Sequence, residues 1–192
     1  IGFETAKRLI TEESNVSKVI LLARESEVFN NALVELNKLN LRKVCISSVY
    51  LDVGDREILK DKIKQIKYEH GNIDILICNA GYTNPVPVQQ IDFQDFEKTM
   101  AVNLYSPFIT VQELLKVGNT FSVIVNIAST AGIKGRSGWL TYSASKAALI
   151  NMSEVLREEL AIYGTRVVCI SPGRTATSLR KILAPDEDPK TI

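Results

Sequence analysis

Long apolar runs are missing from this chain of 192 residues: the longest, such as 19–23 and 73–78, fall far short of the roughly 20 residues that cross a bilayer, so nothing reads as a membrane span. An excess of one charge is missing too. With 23 Lys and Arg against 22 Asp and Glu, net charge +1, and the two signs interspersed, the chain lacks a basic nucleic-acid platform and an acidic disordered tail. Cysteine and histidine are scarce. Cys45, Cys78 and Cys169 are odd in number and far apart, without a C-x-x-C, and His70 is the lone histidine, which excludes a disulfide framework and leaves no metal-ligand set. The three thiols read as reduced core residues of a cytoplasmic protein. There is no initiating Met, and residues 1–10 read as the inside of an amphipathic helix rather than a signal peptide. Repeats, low-complexity linkers and composition shifts are also missing, so 1–192 reads as one unit.

Short β-branched runs alternate with segments of helical period. Strands are expected at 18–23, 43–51, 73–78, 122–128 and 166–171, and helices at 2–12, 26–39, 55–68, 93–116 and 142–163. Strands apolar on both faces and joined by helices imply an α/β, doubly wound parallel sheet of Rossmann-like, three-layer α/β/α type. The strand that would precede the first helix is absent, which predicts two sheet halves with unpaired edges. The working protein is therefore expected to have an N-terminal segment before Ile1. The acidic, Pro-containing run 184–189 followed by Thr191 and Ile192 reads as an interruption at the other end. An intact mass above 21.3 kDa for the native protein is the corresponding expectation.

Chemistry-bearing residues gather at the expected strand ends. Tyr142 and Lys146 are four apart near a helix start, so they share a face, and a phenol beside a cation can be tuned toward neutrality for proton transfer. A solvated helix pair would have the same spacing. Ser129 ends a strand thirteen residues earlier, where ligands sit in open α/β sheets, although a cap would use the same hydroxyl. Asn79, Ala80 and Gly81 end another strand with small residues suited to close ligand approach or to a simple turn. Asn103 places an amide inside a helical segment, facing either a partner or solvent. Pro172 and Gly173 close the last strand.

Taken together, Ile1 and Gly2, Asp52 and Val53, N-A-G at Asn79, Ala80 and Gly81, Asn103, N-I-A-S ending at Ser129, Y-S-A-S-K from Tyr142 to Lys146, and P-G-R-T-A-T from Pro172 to Thr177 resemble the short-chain dehydrogenase/reductase family, in its single-domain Tyr/Lys branch. The resemblance implies an NAD(P)-dependent oxidoreductase interconverting a carbonyl and an alcohol. Tyr142 would protonate the carbonyl oxygen, Ser129 would donate a hydrogen bond to it, Lys146 would lower the phenol's pKa and bind the nicotinamide ribose, and Asn103 would hold a water. Asp52 and Val53 match the adenine-binding pair. Thr175 and Thr177 match positions that contact the nicotinamide amide and phosphates, with Thr175 replacing the family's usual Ile or Val. The glycine loop survives only as Ile1 and Gly2.

Ala23 stands where an acidic residue would select NAD, and Arg24 follows it, which favours NADP(H). An Arg at a strand end is otherwise ordinary surface charge. Trp139, Arg174 and Arg180 fall where the family builds its substrate pocket; a keto group on an acyl, steroid-like or small polyol substrate is the favoured expectation, and a pattern similar to sugar- or polyol-phosphate reductases makes a phosphorylated substrate the alternative. Helices 93–116 and 142–163 carry more apolar residues than one sheet contact needs, and the family pairs them into homodimers or homotetramers. A non-catalytic NADP-binding module or structural subunit of the same fold is the competing reading. No metal, nucleic acid or membrane is expected as a partner.

Overall fold

A computed structural model describes residues 1–13 and 15–188, so Pro189, Thr191 and Ile192 lie outside the described residues. The chain divides into two compact units, 1–53 and 54–192.

The first unit runs α1 (Gly2–Thr11), β1 (Lys18–Ala23), α2 (Glu27–Leu39) and β2 (Cys45–Tyr50). β1 and β2 pair in parallel, Lys18 opposite Cys45 through Ala23 opposite Tyr50. Ala6 and Ile10 of α1, Val19 of β1, Leu36 of α2 and Val44 close into one buried cluster with Phe3, Leu9 and Ile46 against it. Each fully buried Leu or Ile of such a cluster contributes roughly 1.5–3 kcal/mol. Ser26 caps α2 by accepting the Phe29 N–H at 3.2 Å. Asn40 steers the chain into β2, its amide donating to the Val44 carbonyl at 2.7 Å and its Oδ1 accepting the Val44 N–H at 2.9 Å.

The second unit runs α3 (Arg56–His70), β3 (Ile75–Cys78), α4 (Phe93–Met100), a π-helical turn (Ala101–Tyr105), α5 (Ser106–Lys116), β4 (Val123–Ile127), α6 (Leu140–Leu160), β5 (Arg166–Ile170) and α7 (Ser178–Leu183). Its sheet is parallel in the order β3-β4-β5, with Val123 opposite both Ile75 and Arg166. α3 starts on Asp55, whose carboxylate accepts the Ile58 N–H at 3.1 Å, and stops at Gly71, whose φ of 78° favours glycine. It buries Leu59, Ile63 and Ile66 and packs on α5. Asn119 and Asn72 align the entries to β3 and β4: Asn119 exchanges both hydrogen bonds with the Ile73 backbone, and Asn72 donates to the Thr120 carbonyl and accepts its N–H.

All five expected strands are present, in one two-stranded and one three-stranded parallel sheet. Three readings need correction. The expected helix 93–116 is broken at Ala101–Tyr105 by a π turn, because its polar Asn103 is drawn into contacts that an unbroken α-helix would not aim for. The helix expected at 142–163 begins earlier, at Leu140, and its last three residues tighten into a 3-10 turn. Cys45 opens β2 on its exposed side and is no core thiol, whereas Cys78 and Cys169 are partly buried.

α6 is seated by a single glycine. A Cβ on Gly132 would lie 2.6 Å from the Lys146 carbonyl carbon and 2.8 Å from the Ala147 nitrogen, both backbone atoms of α6. Gly132→Ala should therefore cost about 1–3 kcal/mol of stability, as overpacking against immovable backbone does, and urea unfolding of the variant measures it.

Candidate active site

Three strands of the second unit end on chemistry-bearing residues, the arrangement that places ligands beyond the carboxyl ends of a parallel sheet. β3 leads into Asn79, Ala80 and Gly81, all exposed. β4 leads through Ala128 to Ser129, and β5 through Ser171 to Pro172 and Gly173. α6 then lays Tyr142 and Lys146 along its buried side.

Ser129 and Tyr142 meet. The Ser129 Oγ accepts the Ala131 N–H at 3.1 Å, which occupies one lone pair and leaves its own proton free to donate, and that hydroxyl hydrogen-bonds the Tyr142 phenol. Tyr142 is 6% exposed, packed among Ala131, Leu183, Trp139 and Leu179, with the Trp139 ring edge-on at 6.5 Å. Burial holds the phenol above its ordinary pKa, opposed by the Ser129 hydrogen bond and the Arg180 guanidinium. This corrects the expectation that Lys146 would lower it. The Lys146 ammonium lies 5.9 Å from the phenol ring centroid and donates to the Ile127 carbonyl at 2.8 Å. Lys146 is 3% exposed, has no carboxylate partner among the described residues, and is brought down from 10.5 to about 8 by burial. Cys78 is pushed up to about 12 for the same reason.

Asn103, 1% exposed in the π turn, works as a clamp. Its Nδ2 donates to the Tyr82 carbonyl and to the Ser145 Oγ, each at 2.9 Å, and its Oδ1 accepts the Tyr82 N–H at 2.8 Å. Ser145 in turn donates to the Tyr142 carbonyl at 2.8 Å, so the loop after Gly81 is tied through Asn103 to the turn that carries the phenol. A Cβ on Gly81 would approach Leu179 at 3.3 Å and Asn103 Oδ1 at 3.9 Å.

Thr177 caps α7, accepting the Arg180 N–H at 3.1 Å, and Thr175 Oγ1 donates to the Gly173 carbonyl at 3.3 Å. Trp139 and Arg180 join the site: the Arg180 guanidinium stands 5.5 Å over the indole. Arg174 reaches the same place through Glu187, at 3.3 Å. In the first unit Ile1 stands just before α1, Gly2 is the first residue of that helix, and Arg24 is exposed just past β1; Asp52 is exposed and Val53 partly buried after β2. Among the described residues no cluster of three His, Cys, Asp or Glu could hold a metal.

Sequence reasoning passed over Ser145, Gly132 and Glu187. Ser145 had a signal, three residues after Tyr142 on the same helix face. Glu187 had none, since its partners are set by how the chain turns after α7.

The short chain dehydrogenase family model matches residues 1–188. The chain belongs to this family. The 3-oxoacyl-(acyl-carrier-protein) reductase FabG of Rickettsia prowazekii is 37% identical over 116 residues, covering 59% of this chain and 48% of that protein. The chain thus spans about half the length of the curated relatives it matches. A short chain dehydrogenase from Escherichia coli CFT073, solved with NADPH, superposes with a TM-score of 0.79 at 30% identity, covering 91% of this chain and 73% of that one. An NAD+-bound xylitol dehydrogenase superposes at 0.74 and 31% identity, covering 90% and 65%. The family thus includes structures with either nicotinamide cofactor. No helix among the described residues is long and apolar enough to cross a membrane.

The buried ammonium makes stability depend on pH. Between about 8 and 10.5 the unfolded chain holds a proton on Lys146 that the folded chain has lost, so stability rises with pH there. The Cys78 thiol acts oppositely around and above about 9, where the unfolded chain loses a proton that the folded chain keeps. From pH 8 to 9 the Lys146 contribution outweighs the opposing Cys78 one, leaving a net gain of less than about 1 kcal/mol. Urea titrations across that range should find the rise in the wild type and its loss in Lys146→Met.

Proposed function

We propose that the protein is an NADP(H)-dependent oxidoreductase that interconverts a carbonyl and a secondary alcohol, with Tyr142 as the general acid and base. The observation that carries this reading is the buried Tyr142 phenol, hydrogen-bonded by a Ser129 hydroxyl that also accepts the Ala131 N–H. A phenol held protonated at neutral pH is a donor ready for a carbonyl oxygen, and Ser129 is placed to donate to the same oxygen as charge develops on it. The cofactor supplies the hydride when bound.

The residues fit such a cofactor. Asn79, Ala80 and Gly81 leave backbone open at the end of β3, and a Cβ on Gly173 would meet nothing within 4 Å. Thr83 and Ser143, within two residues of Gly81 and Tyr142, keep buried hydroxyls with no hydrogen-bond partner among the described residues, a spare capacity that folded proteins seldom leave unused. Tyr142 and Lys146 would hold the nicotinamide ribose. Pro172, Gly173, Thr175 and Thr177 would line the nicotinamide and phosphates, and Ile1 and Gly2 would contribute to the phosphates. Arg24 would take the phosphate that distinguishes NADP, and Asp52 and Val53 the adenine. Asn103 is then a positioning residue, holding the Tyr82 loop to the turn of α6 that carries Tyr142.

A purely cofactor-binding module of this fold has no use for Lys146. Burying an ammonium away from any carboxylate is costly, and that cost is met here for a group four residues from the phenol. Phe108, Leu115, Leu140 and Val155 leave apolar surface exposed on α5 and α6, which supports homodimer or homotetramer formation through these helices. Three free thiols support a cytoplasmic location.

Tyr142→Phe should reduce carbonyl turnover by at least about 10²-fold, since general acid catalysis alone contributes on the order of 10²–10⁴, while NADPH binding, followed by its fluorescence, stays within a factor of about three. Retained turnover would exclude the phenol as the proton donor. Arg24→Asp should reverse the preference between NADPH and NADH in the same binding assay. Light scattering of the purified protein should give a mass of two or four subunits.

A further inference from the structure

Beyond the reacting groups, one charge cluster in the second unit gathers several arginines about a single carboxylate. Glu187 accepts from Arg180 through both oxygens, Nε to Oε2 at 2.5 Å and Nη2 to Oε1 at 2.7 Å. Arg174 reaches Oε1 at 3.3 Å. The Arg180 and Glu187 side chains are each only 14% exposed, while Arg174 is 59% exposed. Arg136 stands 5.2 Å over the Trp139 ring from its own loop, and Arg180 5.5 Å over the same ring. That ring is edge-on to Tyr142. The three guanidiniums together hold the Glu187 carboxyl below the usual carboxylate range, Arg180 most strongly through its hydrogen bonds.

One carboxylate satisfies one guanidinium fork. A second arginine at the same oxygen and a third beside it exceed what a structural ion pair needs, and both extra side chains are accessible. A phosphate monoester has the same oxygen spacing as a carboxylate for one fork, with a further oxygen and a second charge for the next. Glu187 also sits where it can leave. It lies past the end of α7 in a turn closed by its N–H to the Ala184 carbonyl at 3.2 Å, so its side chain can swing out while α7 keeps its Thr177 cap.

We propose that Arg174 and Arg180, with Arg136 beside them, are the subsite for a phosphate monoester carried by the carbonyl substrate, and that Glu187 holds the place of this phosphate until substrate displaces it. This rests on the reading of Tyr142 as proton donor, because the Trp139 ring that Arg180 covers packs edge-on against the phenol. The substrate class is then a phosphorylated ketone or alcohol, its phosphate on Arg174 and Arg180 and its carbonyl at Tyr142 and Ser129.

Trp139 is the single tryptophan of the chain and reports on the subsite directly. Its emission is to be followed at pH 8 and constant ionic strength while glycerol 1-phosphate, a dianionic monoester, is added, and again with dimethyl phosphate, a monoanionic diester. The monoester should give a saturable change and the diester none. Arg174→Ala should weaken the monoester at least tenfold, and Glu187→Gln, which removes the internal competitor while keeping its shape, should tighten it severalfold. Saturating NADP+ should leave the monoester affinity unchanged. No saturable change in the wild type overturns the proposal. So does equal binding of the diester, competition by NADP+, which would assign the phosphate to the cofactor's own site, or a Glu187→Gln variant that weakens binding as Arg174→Ala does, which would make Glu187 a brace. NADPH binding measured in parallel separates the two readings: intact NADPH binding without a phosphate response overturns the subsite alone, and the converse overturns the cofactor assignment alone.

Discussion

The partners that buried polar side chains take hold a helix in place, and α6 buries three such side chains along one side: Ser145, Lys146 and Ser153. Ser145 meets Asn103, Lys146 meets the Ile127 carbonyl, and Ser153 meets the Asn126 amide at 2.9 Å while donating to the Leu149 carbonyl. An apolar stripe would tolerate sliding or rotation at small cost. These pairings do not, because a buried donor or acceptor left unpaired costs about 1–3 kcal/mol. They fix the rotation and depth of α6 against β4 together, and Tyr142 inherits its position from them. Gly132 completes the constraint by letting the chain after Ser129 touch the α6 backbone directly. The distance between hydroxyl and phenol is thus set by a packed interface rather than by a loop.

The same economy explains the break in the helix that precedes β4. Asn103 needs its amide turned toward both the Tyr82 backbone and Ser145, and a π turn supplies the extra residue that re-aims it. The clamp joins the Asn79, Ala80 and Gly81 end of β3 to the start of α6. Three of the motifs that stand far apart in the chain are therefore one hydrogen-bonded assembly, and the protein's chemistry is concentrated where β3, β4 and β5 end.

Electrostatics in the assembly differs from the simple pairing of a phenol with a neighbouring cation. Four residues of helix bring Tyr142 and Lys146 to one side, but burial dominates both, raising the phenol and lowering the ammonium. The ammonium turns to a backbone carbonyl of β4, and the charge nearest in effect to the phenol is Arg180, delivered by α7. The cluster that Arg180 forms with Glu187 therefore belongs to the reacting end of the molecule, and changes in its occupancy would be felt at the phenol.

Much of this was legible in the sequence. β-branched runs placed every strand, one of them, Lys18–Ala23, to the residue, because alternation between strand and helix periods is a local property of the chain. Ser129, Tyr142, Lys146 and the strand-end Asn79, Ala80 and Gly81 announced themselves by residue type, spacing and position at strand ends. What only the tertiary structure decided depends on which groups burial brings together. The lysine's partner, the phenol's direction of shift, the π turn and the clamp of Asn103 follow from desolvation and from hydrogen bonds between residues 19 to 42 apart. The seat of Glu187 among three arginines follows from the turn after α7. Periodicity names the elements, but the sign of an electrostatic effect belongs to the assembled site, because it is set by how much water each group has lost.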